Sequence, residues 1–94
     1  MRNYEAMFLL SPKLTDDKLE QTIATIKDTL EKNEAKIEKM ENIGKKMLAY
    51  KIKKFKEGIY VLFNFKMHPS SISVVKKSFG LNEVILRTLI LLKE

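Results

Sequence analysis

The densest set of groups able to hold a charged ligand lies between residues 45 and 56, KKMLAYKIKKFK, with six lysines in twelve positions and no acid. Lysines at this density suit phosphates or an acidic protein surface. They would also guard a sheet edge against pairing with a second molecule. Against protection alone stands the continuation of charge through Lys53, Lys54 and Lys56, past the end of a strand. The whole chain carries 18 Lys and Arg against 12 Asp and Glu. Outside this segment the two signs balance at twelve each, so the net charge of +6 belongs to one stretch.

Other chemistries lack their residues. There is no cysteine, which excludes disulfides, thiolate metal sites and thiol catalysis. The single histidine, His68, stands beside Pro69 at a strand-to-helix junction with no second ligand near it in sequence, and reads as a turn residue. Ser70, Ser71 and Ser73 have no evident base, and helix capping accounts for at least one of them. Gly44, Gly58 and Gly80 stand apart, so no phosphate loop exists. Asp16, Asp17, Glu20, Asp28, Glu31, Glu38 and Glu41 alternate with lysines as a solvated face does. No catalytic residue, metal ligand, cofactor or small-molecule substrate is expected. The N-terminal apolar stretch, Ala6 to Leu10, is too short for a signal-peptide core or a membrane span, and a cytoplasmic protein without membrane contact is the expectation.

The elements that must carry the lysines follow from periodicity. Asn3 to Leu10 alternates as a strand, with Tyr4, Ala6, Phe8 and Leu10 on one face, and Ser11-Pro12 ends it. Thr15 caps a helix whose apolar face is Leu19, Ile23, Ile26 and Leu30, ending near Asn33. Ala35 to Ile52 is extended, with a bulge or bend at Asn42-Ile43-Gly44 and with Leu48, Tyr50 and Ile52 directed to the core. Lys56-Glu57-Gly58 is the expected turn into a strand from Ile59 to Met67. His68-Pro69-Ser70 opens a shorter helix on Ile72, Val75 and Phe79, with Gly80 suited to a left-handed residue past its end. Val84 to Leu92 is the last strand. This βαββαβ order over residues 1–94 predicts a single α+β domain, the ferredoxin-like split β-α-β sandwich. Its four-stranded antiparallel sheet has the first and third strands central and two helices on one face.

The opposite face of that sheet is left uncovered. Parity sends Met7, Leu9, Tyr60 and Leu62 outward, with Ile85, Leu89 and Leu91 outward on the last strand and Leu86, Thr88 and Ile90 inward. A small sheet exposes some apolar side chains in any case. A contiguous set would instead be a docking surface for another protein. Outward aromatics are too few for base stacking, so RNA would be held by lysines through phosphate neutralisation.

Met1-Arg2-Asn3-Tyr4-Glu5 before an apolar strand resembles the opening of the family of the sixth protein of the bacterial small ribosomal subunit (bS6). Gly44-Lys45-Lys46-Met47-Leu48-Ala49-Tyr50-Lys51-Ile52-Lys53-Lys54 resembles that family's glycine, paired basic residues, Leu-Ala-Tyr and Ile-x-Lys. Gly58-Ile59-Tyr60 and Leu81-Asn82-Glu83-Val84-Ile85-Leu86-Arg87 resemble its lead-ins to the third and fourth strands. The resemblance implies the ferredoxin-like fold and no catalysis. It also implies binding to 16S ribosomal RNA in the central domain (platform), as a heterodimer with the eighteenth small-subunit protein. On matched positions, Arg2, Lys45, Lys46, Lys53, Lys54 and Lys56 become the expected RNA contacts. Met7, Leu9, Tyr60, Leu62, Leu89 and Leu91 become the expected protein interface by parity. Two features depart from the pattern: Lys51 stands where many members have proline, and many members continue past the last strand in a charged tail, whose functions are not carried over. The alternative is a homodimeric ferredoxin-like regulatory module that binds a small anionic ligand.

Overall fold

The structure, a computed structural model, describes residues 1–93. Its elements are β1 (Arg2–Leu10), α1 (Asp16–Lys32), β2 (Lys36–Ile52), β3 (Phe55–Met67), a 3-10 turn at Pro69–Ser71, α2 (Ile72–Gly80) and β4 (Ile85–Lys93). The strands form one antiparallel sheet in the order β2-β3-β1-β4. The most apolar alternating strands, β1 and β3, are therefore central, as expected. Tyr4, Ala6, Phe8 and Leu10 are buried from β1, and Ile59, Val61, Phe63, Phe65 and Met67 from β3. They meet Ile26 and Leu30 of α1 and Val75 and Phe79 of α2, while Leu19, Ile23 and Ile72 are only partly covered. Phe8 centres this core, edge-on to Phe63 and to Phe79 at centroid distances of 5.8 and 4.9 Å. The Thr15 hydroxyl accepts from the Lys18 N–H at 3.3 Å, the expected N-cap of α1.

The hairpin differs most from its sequence reading. The turn is not at Lys56-Glu57-Gly58 but at Lys53-Lys54, between the paired residues Ile52 and Phe55. Both turn lysines have positive φ, 48° and 73°. A two-residue hairpin turn of the I′ kind requires this, and Asn-Gly ordinarily supplies it. Lysines at these positions give no turn signal, which hid the turn. Since Leu10 of β1 pairs with Ile59, and Lys45 of β2 also pairs with Ile59, residues 46–58 run on past the end of β1. They form a two-stranded ribbon with no third strand beside it.

Leu48, Tyr50 and Ile52 consequently do not enter the core. Between the pairs Met47–Glu57 and Ile52–Phe55, residues 48–51 stand opposite Lys56 alone. Excess residues on one strand bend it and break its parity. Tyr50 is 64% exposed, and Ile52 turns onto the uncovered face of the sheet. The expected irregularity at Asn42 to Gly44 is present, with Gly44 at φ 98°. Three smaller corrections concern the C-terminal third. Ile85 pairs with Leu10 and lies in the core rather than outward, because the register shifts between Leu9 and Leu10. Gly80 is the last residue of α2 and not a left-handed cap; Leu81 follows in right-handed geometry. Ser71 precedes α2 but makes no side-chain cap bond, and neither does His68 before the 3-10 turn.

Candidate nucleic-acid interface

The six lysines of residues 45–56 are all exposed. Lys45 stands where the ribbon leaves the sheet; Lys46, Lys51, Lys53, Lys54 and Lys56 lie along it. Among the described residues none of the six is in an ion pair. Their fields therefore add instead of cancelling, on a projection beyond the end of β1.

Three contacts hold the ribbon against the body. An Arg87 Nη1–H of β4 donates to the Tyr50 hydroxyl at 3.2 Å. That bond is the main reason the Arg87 guanidinium is shifted up from its ordinary pKa. Lys13, from the loop after β1, lies 5.8 Å from the centroid of the Phe55 ring. Ile52 lines, with Met7, Leu9, Tyr60, Arg87 and Leu89, a shallow depression of about 280 Å³. An isolated two-stranded hairpin is marginal in water, so these tethers set the direction in which the lysines point.

Arg2 is not part of this group. It pairs with Met67 at the opposite end of β1 from Leu10. Eight residue steps along a strand separate the two ends by roughly 26 Å. Arg2 lies there beside Lys93, whose ammonium reaches Glu5 at 3.5 Å and the Asn64 amide oxygen at 3.4 Å.

The uncovered face carries a continuous apolar row across three strands. Leu62, Met7 and Leu89 are consecutive partners, flanked by the rows Tyr60–Leu9–Arg87 and Asn64–Glu5–Leu91. Leu89 and Leu91 are half exposed, and Met7, Tyr60 and Leu62 partly so. Leu9 needs correction: it is on this face but only 2% exposed. Its side chain leans over Gly58, where an added Cβ would fall 2.3 Å from Leu9 Cδ1. It floors the depression and offers no surface of its own. Sequence parity places Arg87 on this face, as observed, but missed Ile52, because the bulge that turns Ile52 is not a local pattern. No group of three or more His, Cys, Asp or Glu side chains placed to hold a metal ion occurs among the described residues. No helix among them is long and apolar enough to cross a membrane.

Residues 3–91 match the family described as ribosomal protein S6. The chain belongs to that family. It is 36% identical to small ribosomal subunit protein bS6 of Desulforamulus reducens, over 97% of this chain and 96% of the relative. It is 38% identical to the bS6 protein of Gloeobacter violaceus, over 97% and 95%. The crystal structure of 30S ribosomal protein S6 from Thermotoga maritima superposes with a TM-score of 0.93 at 28% identity, covering 98% of this chain and 87% of that one. The S6 family is structural and not enzymatic, and its fold is the ferredoxin-like sandwich described above. Membership also favours the ribosomal reading over a self-associating regulatory module. Within the family frame, the Leu-Ala-Tyr block with its basic flanks is the projecting ribbon.

Proposed function

We propose that this S6-family chain is built into the platform of the small ribosomal subunit, contacting 16S ribosomal RNA chiefly through its lysine ribbon. Lys45, Lys46, Lys53, Lys54 and Lys56 neutralise backbone phosphates, and Arg2 makes a separate contact from the far end of the sheet. The observation that carries this reading is the concentration of the net charge on a projection whose six lysines make no ion pair among the described residues and which holds a single acid, Glu57. The eighteenth small-subunit protein pairs with the uncovered face through Met7, Tyr60, Leu62, Leu89 and Leu91, with Leu9 beneath them. The row Leu62–Met7–Leu89 supports this, since apolar area arranged contiguously on a small domain calls for a cover. The role in translation is architectural, and the protein resides in the cytoplasm with the ribosome.

A single binding experiment tests both parts. Affinity for a 16S transcript is measured against salt, with and without the eighteenth protein, for the wild-type chain and for Lys45→Gln/Lys46→Gln/Lys53→Gln/Lys54→Gln. The quadruple variant is expected to lose roughly three units of log–log salt slope and about 10³-fold in affinity at 0.1 M salt. An unchanged slope would sink the RNA role of the ribbon. RNA binding indifferent to the eighteenth protein would remove the joint recognition.

A further inference from the structure

The tip of the ribbon reaches the other edge of the sheet. Lys53 of the turn, Lys76 of α2 and Arg87 of β4 line one depression of about 220 Å³, with Phe79, Gly80, Ile85, Leu86 and Thr88 completing its wall. Three cationic residues from separate elements line it, and no carboxylate residue does. None of the three is in an ion pair among the described residues. Like charges gathered without a counter-ion repel one another, an arrangement that a bound anion relieves. The nearby helix end offers little competition, because the Ser78 and Phe79 carbonyls already accept from the Leu81 and Asn82 N–H groups at 3.2 and 3.1 Å. Lys53 also holds φ 48°, a left-handed conformation that costs a non-glycine residue energy and that the fold nevertheless maintains. Arg87 spends one N–H on Tyr50, which orients its guanidinium while leaving further donors for a ligand.

We propose that Lys53, Lys76 and Arg87 seat a backbone phosphate of the RNA, carrying the contact from the ribbon tip onto α2 and β4. This rests on the RNA reading above and adds Lys76 and Arg87 to it. A polymer phosphate fits better than a free ion. The seat is open, with all three cations exposed, so it holds a lone anion weakly against solvent. A strand already held by the neighbouring ribbon lysines presents its next phosphate at high effective concentration.

The test uses the full chain with the eighteenth protein and a 16S transcript, and compares Lys76→Gln with Lys77→Gln. Both sites are exposed on the same helix and both variants lose one charge, but Lys77 does not line the depression. Lys76→Gln is expected to weaken binding roughly five- to tenfold at 0.1 M salt and to lower the salt slope by about 0.7–0.9, one phosphate contact. Lys77→Gln is expected to change much less. If the two variants behave alike while the ribbon quadruple variant still fails, the seat is overturned and the RNA reading stands. If the wild-type chain shows no salt-dependent RNA binding, the RNA reading fails and takes the seat with it. In a third arm inorganic phosphate is titrated against the amide spectrum. Saturable shifts at Lys53, Lys76 and Arg87 that vanish in Lys76→Gln, with RNA affinity untouched, would assign the site to the free ion and overturn the proposal.

Discussion

The two halves of β2 lie on the same sheet edge, are both rich in lysine and both largely exposed, yet their charges are arranged in opposite ways. In the first half, alongside the body of the sheet, Glu38 meets Lys66 of β3 at 3.7 Å and Lys39 meets Glu41 at 3.8 Å. From Lys45 onward six lysines follow with no acid through Lys56. Exposed pairs such as those in the first half contribute about 0–1 kcal/mol each. Their charges are nonetheless enough to deny the edge to another strand. Edge protection is therefore achieved with compensated charge in one half. The uncompensated half exceeds that need, and it lies on the part of the chain that leaves the sheet. The contrast separates what the fold requires of an edge from what a polyanion requires of a surface.

The largest effect on this contrast is expected at the root of the ribbon. In Gly58→Ala the added Cβ would fall 2.3 Å from Leu9 Cδ1 and 3.2 Å from the Leu10 carbonyl oxygen. Displacing Leu9 from the floor of the depression should cost about 1–3 kcal/mol in urea unfolding. Wild-type stability would mean that ribbon and body are not joined through this contact. A smaller effect of opposite sign is expected at the turn. Lys53→Asn/Lys54→Gly replaces two left-handed lysines with residues suited to positive φ, and should stabilise the chain by about 1 kcal/mol. The same variant should lose roughly 1.5 units of RNA salt slope, so that stability and binding move in opposite directions. A loss of stability would show that the turn lysines are not held at the fold's expense. The smallest effect belongs to the first half. Glu38→Gln breaks the pair with Lys66 and should shift stability by no more than about 0.5 kcal/mol, with RNA affinity nearly unchanged. A large change in RNA binding there would extend the interface along the whole edge and dissolve the contrast.

Much of the framework was legible because its causes are local. Alternation in β1 and β3 selects their core faces, and a hydroxyl at Thr15 with Asp16 and Asp17 behind it marks a helix start. Where a cause was not local, the reading failed. The positive-φ turn at Lys53-Lys54 carries none of the usual residues. The irregular register from Met47 to Ile52 moved Tyr50 and Ile52 away from their expected face. The shift between Leu9 and Leu10 sent Ile85 inward. A single irregular residue reverses the facing of every residue beyond it, so parity is reliable only between bulges.

By itself, then, the sequence determined the element order, the central strands, the core face of each helix and the stretch that holds the net charge. These follow from side-chain type and period, which every residue carries with it. Tertiary structure alone decided that the charged stretch projects past β1, that Leu9 is covered while Ile52 joins the open face, and that Lys53, Lys76 and Arg87 share one depression. Those outcomes depend on where strands end and how registers slip. They bring together residues far apart in the chain, and no local pattern of types encodes such a meeting.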